Sequence, residues 1–163
     1  MAPVTYPQKY LGFSRNLSTH QGLLEAAGWH CFRIRRRIGT GKAAFETACG
    51  RLMAWEMQRH AGLRPLIDDH TVTLHLGPIK QRCFIVRAEH TAESACVTYG
   101  TMPGHWESGE ESFRVWRQAD AVWAECAAFS RPQSWVTKIG GPVARLGQRI
   151  MARRYLGALV TSH

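Results

Sequence analysis

From Leu66 to Ser130 apolar and polar residues alternate with a period of two, as in strands that bury one face. The runs predict strands near 70–76, 82–89, 94–102, 110–117 and 122–130, with a turn over 76–82 at Gly77-Pro78. An earlier β-favouring run, Trp29 to Ile38, ends at Gly39-Thr40-Gly41. Helical spacing replaces alternation on both sides of this meander. Lys42 to His60 carries Phe45, Ala48, Cys49, Leu52 and Trp55 on one stripe. Thr40 is placed to cap that helix, and Gly62 and Pro65 to close it. Gly50 inside it costs up to about 1 kcal/mol relative to alanine, which points to a close approach there. Residues 134–159 return to helical period through Trp135, Ile139, Val143, Leu146 and Ile150, and Gly140-Gly141-Pro142 interrupts the first turns. Residues 1–28 have weak periodicity and read as a loop-rich N-terminal arm.

The element order is strand, helix, antiparallel meander, long C-terminal helix. An antiparallel sheet with one apolar face needs a cover, and the two helices supply it. The expected fold class is therefore α+β: a curved antiparallel sheet gripping a long C-terminal helix, with an internal cavity. A chain of 163 residues is expected to form one domain, divided into the arm (1–28), the first helix and meander (29–133) and the final helix (134–159).

Hairpin arithmetic says which side chains face that cavity. A four-residue loop at 90–93 predicts pairs Glu89–Ser94, Val86–Val97, Ala88–Ala95 and Phe84–Tyr99, the last three on the buried face. A turn at Gln118 to Ala121 predicts Arg117–Val122, Phe113–Cys126 and Glu111–Ala128, with Arg114–Glu125 and Trp116–Trp123 on the outer face. Tyr99 and Glu111 then point inward, Glu110 points to solvent, and Glu125 forms an outer salt bridge with Arg114. A bulge would reverse part of this register.

Charge adds less. The net charge of +9 permits attraction to nucleic acid, anionic lipid or anionic metabolites without choosing among them. Arg33, Arg35, Arg36 and Arg37 form one basic segment, and Arg145, Arg149, Arg153 and Arg154 another. Both read first as solvated faces, and no nucleic-acid motif accompanies them. Five cysteines without Cys-x-x-Cys spacing read as small buried hydrophobes in a reducing, cytoplasmic setting. No window approaches 18 apolar residues, so no membrane span is expected. The histidines lack ligand spacing, and no metal or other cofactor is expected.

Several motifs recur in order along the chain: Gly39-x-Gly41 with Phe45, Ala48 and Trp55; Tyr99-Gly100-Thr101; Pro103-Gly104-His105; Gly109-Glu110-Glu111 with Phe113; Phe129-Ser130-Arg131-Pro132; Gly141-Pro142 and Gln148-Arg149. Over about residues 30–158 this set resembles the domain of unknown function 1990 family, which has no settled reaction. Trp106 stands where that family usually has proline, Gly12-Phe13-Ser14 replaces a more typical Gly-Ala-Thr, and the 76–82 segment looks shortened. The resemblance implies a fold similar to polyketide cyclase and lipid-transfer helix-grip (START-like) proteins.

The candidate chemistry lies in and beside these motifs. His105 is either a general acid/base or a loop histidine that fixes its turn. Glu111 is either a proton carrier with a raised pKa or half of a buried bridge to Arg131. Tyr99 is a hydrogen-bond donor to a substrate carbonyl. Trp55, Phe84, Val97, Phe113, Ser130 and Arg131 are the candidate ligand contacts; Ser130 can also cap the approach to the final helix, and Pro132 favours its start. The expected partner is a small hydrophobic or amphipathic metabolite, either transformed by cofactor-independent cyclisation, dehydration or isomerisation, or merely carried or sensed. A nucleic-acid module using the basic faces is the least supported reading. An outer Trp116–Trp123 patch would suit a homodimer.

Overall fold

In the computed structural model, which describes residues 1–133 and 141–161, seven strands form one antiparallel sheet in the order β1-β7-β6-β5-β4-β3-β2. The strands are β1 (His30–Thr40), β2 (Arg64–Asp68), β3 (Thr71–Leu76), β4 (Ile79–His90), β5 (Ser94–Thr101), β6 (Glu107–Gln118) and β7 (Ala121–Pro132). Helix α1 (Leu17–Ala26) precedes the sheet, α2 (Gly41–Met53) and α3 (Glu56–His60) join β1 to β2, and α4 (Gly141–Ala158) follows β7. The inner face of the sheet and the three later helices share one core, which includes Phe45, Leu52, Val97, Phe113, Val115 and Leu156. This is the expected α+β helix-grip architecture.

The β6–β7 register agrees with the hairpin arithmetic at Arg117–Val122, Trp116–Trp123, Arg114–Glu125, Phe113–Cys126 and Glu111–Ala128. Partners on the outer face differ. Strand β1 sets Arg35 opposite Glu125, so the carboxylate pairs with Arg35 at 3.2 Å rather than with Arg114. Arg114 and Arg35 instead lie over the Trp116 ring at 5.2 and 4.9 Å.

The β4–β5 register departs from expectation. The Thr91 hydroxyl accepts the Ser94 amide at 3.1 Å, and this local turn shifts the pairing to His90–Ala95 and Ala88–Val97. An irregularity between Ile85 and Arg87 then sets Phe84 opposite Gly100 and Ile85 opposite Tyr99. Phe84 therefore leaves the cavity face, and its ring lies 6.5 Å from His70.

Other expectations fail for local reasons. The predicted 42–60 helix breaks at Trp55, whose backbone is left-handed at φ 60°. Strand β2 escaped the alternation signal because Leu66 and Ile67 are both exposed on a sheet edge. The 76–82 turn is only Gly77-Pro78. Gly50 is exposed, and a Cβ added there would meet nothing within 4 Å, so no close approach explains it. The Thr40 hydroxyl accepts from Arg37 at 3.1 Å and makes no cap bond. Strand β7 continues through Pro132, so Ser130 and Pro132 belong to the sheet rather than to a helix start. Trp135, Ile139 and the predicted helix start over 134–140 lie outside the described residues. Within α4, Val143, Leu146 and Ile150 are exposed, and the face turned to the core is Ala152, Tyr155 and Leu156. The most apolar stripe is not the packed one, because the helix also presents Gln148 and Met151 to a cavity.

The arm 1–28 is more ordered than expected, with short 3-10 helices at Gln8–Tyr10 and Phe13–Asn16 before α1. It covers the outer face of the sheet. Tyr6, Tyr10, Leu17, Leu24 and Trp29 pack around Phe129 in a second core. Glu110 faces this arm and is only 2% exposed, so its parity is as expected and its environment is not. Its carboxylate accepts from the Tyr6 hydroxyl (2.6 Å), the Gly12 amide (2.8 Å), the Ser14 amide (3.0 Å) and the Ser14 hydroxyl (2.6 Å). Gly12 can aim its amide this way because its φ is +82°. Gly100 is required beside it: a Cβ there would lie 2.3 Å from the Tyr6 hydroxyl.

Candidate functional site

One row of residues crosses four strands on the inner face: Phe32 of β1, Ala128 of β7, Glu111 of β6 and Tyr99 of β5, each opposite the next. Cys83 of β4 and Leu74 of β3 continue this floor, and Gln148, Met151 and Tyr155 of α4 form the roof. Between floor and roof lies a cavity of about 330 Å³. Leu76 and Trp106, both nearly half exposed, mark its rim. Volume and lining suit a small, mostly apolar molecule with a few polar attachment points.

Polar groups line the cavity along β6 and its neighbours, from Glu107 to Glu111. The Tyr99 hydroxyl donates to Glu111 at 2.8 Å, and the Cys126 thiol donates to the other carboxylate oxygen at 3.5 Å. No arginine or lysine pairs with Glu111 among the described residues. Burial is the main cause that raises the Glu111 pKa; the Tyr99 and Cys126 hydrogen bonds oppose it, and the charge of Glu107 adds to it. Burial, followed by the Glu111 charge, also holds the Tyr99 hydroxyl well above its ordinary range. The same two causes push the Cys83 thiol up to about 12.

His105 sits in the β5–β6 connection at the cavity edge. Its Nδ1 accepts the Glu107 amide at 3.1 Å, so the neutral ring carries its proton on Nε2. Burial lowers its pKa to about 4, partly countered by the Glu107 backbone. At neutral pH it is a hydrogen-bond donor and a weak base. Glu107 itself is raised by burial, and the Gln148 side-chain amide holds it at 2.8 Å. The same amide nitrogen donates to the Ser130 hydroxyl at 3.1 Å, tying α4 to the ends of β6 and β7.

The structure brings Tyr99, His105, Glu111 and Ser130 to one cavity. Trp55 stands behind them, buried, with its ring stacked on Tyr99 at 5.6 Å. Phe113 and Val97 lie deeper in the core, and Phe113 meets the Tyr155 ring edge-on at 5.3 Å. Arg131 is on the opposite face, its guanidinium 4.3 Å from the Trp29 ring centroid; the proposed Glu111–Arg131 bridge does not form. Its position is one residue past Ser130, and strand alternation turns it outward. Gln148 and Tyr155 are polar cavity residues that sequence reasoning missed, and Glu107, which the sequence offers as either a rim acid or a solvated turn residue, also lines the cavity. Glu107 has the same β6 parity as Glu111, which is a signal that extending the strand would have exposed. No group of His, Cys, Asp or Glu among the described residues is arranged to hold a metal ion.

The family described as "Domain of unknown function (DUF1990)" matches residues 16–158. A UPF0548 protein of Deinococcus radiodurans is 30% identical over 149 residues, covering 78% of this chain and 75% of its own length. Among solved structures, a hypothetical protein of Helicobacter pylori superposes with a TM-score of 0.57 at 11% identity, covering 98% of this chain and 95% of its own. Norcoclaurine synthase of Thalictrum flavum, in complex with dopamine and hydroxybenzaldehyde, gives a TM-score of 0.52 at 9% identity, with 80% and 86% covered. At such identities these structures share the fold. No helix of the described residues is long and apolar enough to cross a membrane.

Proposed function

The chain belongs to the DUF1990 family, and we propose that it binds a small apolar or amphipathic metabolite in the cavity beneath α4 and transfers a proton on it without a cofactor. The observation that carries this reading is the Tyr99–Glu111 hydrogen bond of 2.8 Å in a cavity of about 330 Å³. A carboxyl group raised by burial and held by a phenol is suited to taking and returning a proton. In an isomerisation, the Glu111 carboxylate takes a proton from a carbon next to the substrate carbonyl and returns it to a different carbon, so no atom is gained or lost. The carbonyl oxygen accepts the Nε2–H of His105 while negative charge develops there. His105 is too weak a base to be the proton carrier itself. A helix-grip protein in complex with two small aromatic molecules supports the capacity of this fold to hold such ligands.

A non-catalytic carrier or sensor is the second reading. What favours it is that the Tyr99 hydroxyl is already committed to Glu111 and the His105 ring to the Glu107 backbone. Native mass spectrometry of the purified protein identifies a retained small molecule. Incubation of that molecule with the protein in D2O then separates the readings. An enzyme incorporates deuterium at carbon, and Glu111→Gln abolishes incorporation while still binding. A carrier incorporates none above the protein-free rate.

A further inference from the structure

The chain carries a net charge of +9, yet the cavity is acidic. Glu107 and Glu111 are four residues apart on β6, share its inner face, and both line the cavity. No lysine or arginine lines it among the described residues. Arg131, which could have supplied a cation, is turned to Trp29 on the other face. The other titratable groups facing Glu111 are Tyr99 from β5, Cys83 from β4, Cys126 from β7 and Tyr155 from α4, and burial raises all four, so they stay uncharged at neutral pH. His105 is neutral there as well. The donors to the two carboxylates are a phenol, a thiol and a side-chain amide. A carboxylate removed from water calls for a cation or for protonation, and the described residues supply no cation.

We propose that the ligand supplies it: the cavity selects an amine whose ammonium pairs with the buried carboxylate of Glu111, with Glu107 adding to the field along β6, and whose apolar body lies against Phe32, Leu74, Ile79 and Met151. This inference rests on the reading of the cavity as a small-molecule site and adds the ligand's charge class. An anionic ligand, such as a fatty acid or a free polyketide carboxylate, is disfavoured by the same arrangement, because it would add a negative group beside two carboxyls that no cation among the described residues offsets. A neutral ligand fits the space and leaves the carboxyls to protonate.

Three matched probes test this: 2-phenylethylamine, 2-phenylethanol and 3-phenylpropionate, measured by isothermal titration at pH 8 and pH 5, beside the neutral dye Nile red. At pH 8 the amine is expected to bind at least about tenfold more tightly than the alcohol, with the carboxylate weakest. Amine binding should release protons, seen as heats that vary with buffer ionisation enthalpy, and should weaken at pH 5. The Glu107→Gln/Glu111→Gln variant should bring amine and alcohol to equal affinity. Glu107→Gln alone, which leaves the Tyr99–Glu111 contact in place, should narrow the gap. If the alcohol or the dye binds while the amine has no advantage, the charge selection is wrong and the cavity reading stands. If neither the dye nor any probe binds, both fall together.

Discussion

Glu110 and Glu111 are joined by one peptide bond and are held on opposite faces of the same sheet. Glu110 accepts four hydrogen bonds from the N-terminal arm, and Glu111 accepts two inside the cavity. The outer row Gly100–Glu110–Phe129 lies directly beside the inner row Tyr99–Glu111–Ala128. One motif therefore fastens the arm and furnishes the site. Its polar density reflects two separate demands on adjacent residues.

The Glu111 environment predicts an inverted contribution to stability. Because its folded pKa is raised, the native state holds the proton more tightly than the unfolded chain does. The stabilising effect of that proton is complete below the unfolded value near 4.5 and is lost as pH rises through the folded pKa. Glu111→Gln should therefore match the parent's melting temperature near pH 4 and exceed it increasingly toward pH 8. Thermal melts across that range check this. A variant less stable than its parent at pH 8 would show that the carboxylate has a counter-charge in the folded protein.

Removing Glu110 should cost stability. Its removal leaves the buried Tyr6 and Ser14 hydroxyls and two backbone amides without their acceptor. Hydrogen bonds to a charged group are worth roughly 1.5–3 kcal/mol each and are not additive, so Glu110→Ala is expected to cost on the order of 3–5 kcal/mol. Urea denaturation measures that loss. Trypsin should also cleave after Arg15 faster than after Arg59 in the variant, since the arm is released before the sheet unfolds. Equal cleavage rates at the two sites would argue against a local anchoring role.

Which of these features the sequence makes legible follows from the range of the interactions. Glu111 and the whole β6–β7 pairing are readable because alternation and one tight turn determine them locally, whereas Tyr99 keeps its inward parity although the pairing predicted for it with Phe84 does not form. The β4–β5 register is not, because it depends on the Thr91 hydroxyl and on an irregularity near Val86 that no periodicity announces. Glu110 reads as solvent-facing because its cover is a segment almost a hundred residues away with only Leu17 and Leu24 buried in its helix. Gln148 reaches the cavity from a helix whose most apolar stripe faces outward, so the usual rule selects the wrong face. Arg131 follows alternation correctly, and the expectation that it meets Glu111 fails on that same alternation.

His105 predicts a second pH dependence, of the opposite sense to Glu111. Its folded pKa of about 4 lies below the ordinary 6.5, so the unfolded chain binds the proton more readily. The stability this contributes is fully present above pH 6.5 and is lost as pH falls toward 4. His105→Gln should flatten the stability curve across that window and leave the region above pH 7 nearly unchanged in slope. A proton NMR titration of the ring gives the pKa independently. A midpoint near 6.5 in the native protein would show that the imidazole is solvated and remove the donor role assigned to Nε2.

Gln58 separates stability from site chemistry. It is fully buried in α3, and neither its amide nitrogen nor its amide oxygen has a hydrogen-bond partner among the described residues. An unsatisfied buried amide costs about 1–3 kcal/mol, whereas an apolar side chain of similar length contributes packing at the same position. Gln58→Met is expected to raise stability by roughly 1–2 kcal/mol at every pH, because nothing titrates there. Gln58 does not line the cavity, so ligand affinity should be unchanged. Glu111→Gln, by contrast, should gain stability only at higher pH and lose proton transfer with it. A loss of stability in Gln58→Met would mean that a bound water satisfies the amide in solution. A loss of ligand binding would place Gln58 in the site and enlarge the cavity toward α3.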